Sequence, residues 1–141
     1  MRPRSAAAKA LRAGCTIELG ARGASMWPLL RTGDRLTVEP AGAASLRRGD
    51  VAVVERPHGL VAHRVVAVDP LVTRGDRMAA DDLPAGDGAI VGRVRALRRW
   101  GIAIELGGRI GRGLSYLSAS ALTAAAVRAL GPLARLRRRL V

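Results

Sequence analysis

The patterning of this chain predicts a mainly β fold, a sandwich or open barrel, followed by a helical, basic C-terminal tail. Two observations carry the prediction. Between residues 15 and 106, short apolar runs rich in Val, Ile and Leu recur, separated by Gly- and Pro-marked turns. From Gly111 onward the texture changes to Ala and Leu at helical spacing with dense Arg. At 141 residues the chain suits one domain with a modest core. It divides into a basic N-terminal extension (1–14), a β-rich domain (15–106) and the tail (107–141).

Each element has its own reason. Ser5 to Arg12 is Ala-rich and basic and reads as a short helix ended by Gly14. Cys15 to Leu19 alternates and contains β-branched residues, so it reads as a strand. Leu36 to Glu39 is a second strand, stopped by Pro40, with a small-residue loop over Ala41 to Ser45. Val51 to Glu55 has strong strand propensity. The turn signature Arg56-Pro57-His58-Gly59 then predicts a hairpin, with Leu60 to Val68 returning. Alternation on that strand sets Val61, His63 and Val65 on one face and Ala62, Arg64 and Val66 on the other. Leu71 to Thr73, Ile90 to Leu97 and Ile102 to Leu106 complete the strands, with an acidic loop from Asp76 to Asp87. In the tail, Leu114 to Leu130 suits a weakly amphipathic helix broken at Gly131-Pro132, and Leu133, Leu136 and Leu140 form a second apolar stripe amid Arg. That tail has two readings: a helix docked on the β domain, or an interfacial helix drawn to anionic lipid.

Hydrophobic residues make up 49% of the chain, which argues for a folded protein. There are no Phe, two Trp and one Tyr, so the core is aliphatic; nucleic acid is not an expected partner, because single strands need aromatic stacking platforms. The net charge is +13, with Arg supplying all but one of the 24 basic residues. Such a bias fits an anionic partner, whether a membrane surface, nucleic acid or an acidic peptide, and equally fits a base composition that favours Arg and Ala. Cys15 is the only cysteine, so no intramolecular disulfide can form. Met1 to Gly14 contains no apolar run with the length of a signal peptide core, and the longest uncharged stretch, Gly113 to Val127, is shorter than the ~20 residues of a spanning helix. Localisation is therefore expected to be peripheral to a membrane, or cytoplasmic.

The chemistry gathers around Gly23-Ala24-Ser25-Met26-Trp27-Pro28, with Gly33-Asp34 downstream. Small residues leave the backbone near Ser25 open, and Pro28 stiffens the exit. A serine hydroxyl is a weak nucleophile unless a base activates it. The candidate bases are few: Lys9 is the only lysine, and His58 and His63 are the only histidines. His58 falls in the predicted hairpin turn, whereas His63 falls on a strand. Asp76, Asp81 and Asp82 follow, so a serine, a histidine and an aspartate occur in that order, the parts of a triad.

The ordered set of Gly-x-Ser-Met-x-Pro at 23–28, Arg-Gly-Asp-Val at 48–51, His-Arg-Val-Val at 63–66, Arg-Gly-Asp at 74–76 and Asp81-Asp82 resembles the signal peptidase I family. More narrowly it resembles the branch with histidine in place of the usual lysine base. The resemblance runs from about Ile17 to Leu97. It implies a β-fold of the kind shared by signal peptidases and repressor-type autoproteases. It also implies a serine endopeptidase that cuts leader or signal-like peptides after small residues. Ser25 would be the nucleophile, His63 the base and Asp82 the residue that orients it, with Asp81 as competitor; no metal or cofactor is implied. Many relatives carry a serine two residues before the nucleophile to help stabilise the oxyanion, and Gly23 stands there instead. Family members usually carry a membrane anchor ahead of the serine.

Met26, Trp27 and Ala62 are the candidates for substrate contact, although packing would explain Met26 and Trp27 as well. Asp34 and Asp50, each after Gly, read as turn residues that accept backbone hydrogen bonds, and Asp76 as the brace of a Gly-Asp turn. The expected partners are a peptide or protein substrate, an anionic membrane surface for the Arg-rich tail, and a protein that anchors the chain near its substrate. Two other functions compete. A repressor-type autoprotease would need a lysine after Ser25, and none follows. A non-catalytic β module would bind anionic membrane or nucleic acid through Arg, insensitively to changes at Ser25 or His63.

Overall fold

A computed structural model of the chain describes residues 3–84 and 86–107. The expected tail helices beyond residue 107 lie outside the described residues. The fold is mainly β: helix α1 (Pro3–Arg12) precedes strands β1 (Ile17–Gly20), β2 (Arg35–Pro40), β3 (Val51–Arg56), β4 (Gly59–Val68), β5 (Leu71–Arg74), β6 (Ile90–Arg99) and β7 (Ile102–Glu105). Among the described residues they form one antiparallel sheet in the order β1-β2-β6-β3-β4-β5, with β7 added to β6. The choice between sandwich and open barrel therefore falls on a continuous sheet whose end strands, β1 and β5, do not pair.

The order follows from local and distant pairings. The turn at Pro57-His58 closes the β3–β4 hairpin with Val53 opposite Ala62 and Ala52 opposite His63. β6 then enters between β2 and β3, bridging segments far apart in sequence. β3 is buried on both faces, which explains its unbroken apolar run. Val51 and Val53 join the larger core with Leu36, Val38, Val94 and Leu97, while Ala52 and Val54 join a second cluster with Leu46, Val65 and Ile90. Within the expected N-terminal extension, Ala8 and Leu11 of α1 are fully buried in the larger core. At Gly92 of β6, a Cβ would lie 2.8 Å from the Glu39 carbonyl oxygen and from a Val38 methyl, so the close packing there requires glycine.

Two matching turns brace this sheet, at Leu30-Arg31-Thr32-Gly33-Asp34 and Leu46-Arg47-Arg48-Gly49-Asp50. In each, the glycine has positive φ (97° and 94°), and the aspartate carboxylate accepts the amide of the residue three before it at 2.8 Å. Each aspartate also meets an arginine of β6. Arg99 grips Asp34 with two bonds of 2.8 and 2.6 Å, and Arg93 reaches Asp50 at 3.5 Å. Burial alone would raise the Asp34 carboxyl, but the Arg99 guanidinium and the Arg31 amide outweigh it and hold the group below its ordinary 3.8.

A depressed carboxylate contributes stability that is present above its unfolded value and lost as the pH falls through the folded one. Arg99→Met is therefore expected to cost about 3 kcal/mol at pH 7. The deficit should narrow as the pH falls below 3.8 toward the lower pH at which the paired Asp34 carboxyl protonates. Denaturant unfolding at pH 7 and pH 3 measures this; a deficit unchanged between them would count against the pair.

Candidate active site

Ser25 sits on the loop between β1 and β2, and this loop is tied shut at its base. Ala21 donates to the Asp34 carbonyl at 2.8 Å, and Gly33 to the Ala21 carbonyl at 3.2 Å. The Thr32 hydroxyl accepts from the Gly23 amide and donates to the Gly23 carbonyl. Met26 and Leu30 insert into the larger core and fix the loop from beneath. Gly23 has φ +87°, a conformation that side chains disfavour, so glycine suits this position of the loop. The Ser25 amide has no acceptor among the described residues.

The predicted face of β4 carries His63 toward this loop. His63 Nε2 lies 3.1 Å from Ser25 Oγ, and Nδ1 lies 2.6 Å from Asp82 Oδ2. Asp82 arrives on the segment after β5, its amide bonded to the Thr73 carbonyl at 2.9 Å. An ionised carboxylate can only accept, so Nδ1 carries the imidazole proton and Nε2 presents its lone pair to the hydroxyl. The side chains of His63 and Asp82 are 12% and 20% exposed, so the pair is shielded yet reachable. Asp81, the competitor, turns away to Arg74 at 3.5 Å, both half in solvent. His58 is exposed in the β3–β4 turn.

A second loop clamps the first. Arg77 donates its amide to the Ser25 carbonyl at 2.9 Å, and Asp76 donates its amide to Met26 Sδ at 3.4 Å. Gly75 lets the two loops meet: a Cβ there would lie 2.8 Å from the Ser25 carbonyl oxygen and 3.2 Å from His63 Nε2. Beneath it, on the face of β4 opposite His63, Arg64 binds both oxygens of Asp76 at 2.7 Å and the Gly49 carbonyl at 2.9 Å. Asp76 thus braces its turn through Arg64 more than through the local backbone.

A cavity of about 590 Å³ opens beside Ser25, between the β1 end and the β3–β4 hairpin. Leu19, Leu60 and Val61 give it an apolar lining, and Arg22 and His58 are its charged or titratable members. Of the residues expected to touch substrate, Met26 and Ala62 line this cavity, Met26 from the buried side. Trp27 does not line it; its half-buried ring lies 5.8 Å from the Arg31 guanidinium, within reach of a cation–π contact.

Three contributors escaped the sequence reading. Arg64 carried a signal, a charge at an interior position of an apolar strand. Gly75 carried a weak one, as the glycine of a turn. Thr73 carried none that separates it from any strand threonine. Among the described residues no group of His, Cys, Asp and Glu could hold a metal, and no helix is long and apolar enough to cross a membrane. No protein-family model, characterised protein or solved structure matches the chain.

Proposed function

We propose that this chain is a serine endopeptidase resembling signal peptidase I of the histidine-base branch, cutting leader or signal-like peptides after small residues. The observation that carries the reading is the unbroken contact chain from Ser25 Oγ through His63 to Asp82. Ser25 attacks the peptide carbonyl as His63 Nε2 takes its proton, and Asp82 stabilises the imidazolium. The Ser25 amide faces the developing oxyanion, without help from a hydroxyl at position 23. His63 then protonates the leaving amine, and a water that it deprotonates hydrolyses the acyl-enzyme. An extended peptide lies in the apolar cavity, with Met26 and Ala62 against it. The chemistry asks for no metal or cofactor.

The Arg-rich sequence past Gly131 supports peripheral attachment to an anionic membrane, where an anchoring protein could present the substrate. A cytoplasmic location is the alternative.

Mass spectrometry of peptides bearing Ala-x-Ala, incubated with the wild type and with Ser25→Ala, tests the reading. Cleavage by the wild type alone is expected. Equal cleavage by both would remove Ser25 from the chemistry, and binding to anionic vesicles without any cleavage would favour the non-catalytic β module.

A further inference from the structure

We infer that Thr73 is a positioning residue, holding the Asp82 carboxylate in the orientation that keeps His63 ready to accept a proton from Ser25. The inference rests on the peptidase reading above and goes beyond the three residues that reading uses.

The geometry is specific. Thr73 Oγ1 donates to Asp82 Oδ2 at 2.7 Å, the same oxygen that receives His63 Nδ1 at 2.6 Å. A carboxylate oxygen has two acceptor sites, so these two donors fill it. Thr73 also uses its own carbonyl to accept the Asp82 amide at 2.9 Å. One strand residue thereby fixes both the main chain and the side chain of an aspartate that belongs to no strand or helix.

Thr73 is itself well fixed. It lies opposite Val65 in the β4–β5 ladder, so it shares the face of His63, two residues along β4 from Val65. It is 7% exposed, and its β-branch restricts χ1. Valine would suit the strand and its apolar neighbours equally well. What a hydroxyl adds at this position is the bond to Asp82. Without it, the Asp82 carboxylate keeps His63 as its one hydrogen-bond partner among the described residues, and rotation of the carboxylate would let the imidazole turn away from Ser25.

Thr73 does not line the cavity, so its loss should lower kcat and leave KM unchanged. A fluorophosphonate probe, which labels an activated serine without any knowledge of the natural substrate, reads the same effect. With the full chain, Thr73→Val is expected to slow Ser25 labelling about 10- to 100-fold, the range that follows from misplacing a reacting group by an ångström or less. Thr73→Ser, which restores the hydroxyl, should stay within about 3-fold of wild type. Because Thr73 acts through Asp82, the double variant Thr73→Val/Asp82→Asn should label no more slowly than Asp82→Asn alone.

A purely structural role would give losses that multiply in the double variant, or no rescue by serine; either result overturns the proposal, as does a Thr73→Val protein that labels like wild type. A folded wild type that the probe does not label, or a Ser25→Ala protein labelled equally, is a different outcome. It removes the peptidase reading, and the role of Thr73 with it.

Discussion

His63→Ala is expected to lower kcat as far as Ser25→Ala does, on the order of 10⁴-fold or more, and the double variant should lose nothing further. The reason is that the hydroxyl and the imidazole act as one unit. At 3.1 Å, Nε2 is the described group placed to take the Ser25 proton, and neither Lys9 nor His58 has a hydrogen bond to Ser25 among the described residues. Asp82→Asn should cost less, about 10³- to 10⁴-fold, and for a separate reason. An asparagine amide can donate to Nδ1, which would move the ring proton to Nε2 and turn the base away from its task. Single-turnover cleavage of an Ala-x-Ala peptide gives all four values, and the labelling rate of Ser25 gives those of His63→Ala and Asp82→Asn. Full activity in His63→Ala would sink the mechanism, and losses that multiply in the double variant would mean two independent roles.

Much of this arrangement was legible because it is local. Strand alternation put His63 on one face with Val61 and Val65, and the register of β3 with β4 keeps that face. Asp34 and Asp50 read as turn acceptors, and each does accept the amide three residues back. What stayed hidden depends on partners far along the chain. Nothing near Asp34 points to Arg99, 65 residues away, and nothing near Ala8 and Leu11 shows that a basic, Ala-rich helix closes the core. The resemblance pointed to Asp82 over Asp81, but its physical ground lies in the segment after β5 anchored at Thr73, because adjacent carboxylates differ only in where the backbone aims them. The insertion of β6 between β2 and β3 is likewise a tertiary choice, since the run of short strands admits several orders.

The largest effect on stability is expected at Arg64. Its guanidinium and the Asp76 carboxylate are each 2% exposed, joined by two bonds of 2.7 Å. Removing one member of a buried pair strands the other charge, so Arg64→Met should cost about 3–5 kcal/mol in denaturant unfolding. Replacing both, as Arg64→Met/Asp76→Leu, removes the stranded charge and should recover most of that loss. Activity should not follow. Asp76 stands between Gly75, packed against His63, and Arg77, whose amide holds the Ser25 carbonyl. Without the ion pair from the far face of β4, the turn that aligns these two neighbours keeps only its main-chain bonds and the contact to Met26 Sδ. The double variant should therefore fold nearly as well as the wild type yet label Ser25 at least 10-fold more slowly, a displacement effect of the size that ångström shifts produce. If stability and labelling recover together, apolar packing suffices and the pair serves the fold alone; if only stability recovers, the buried charge is kept for the geometry of the site.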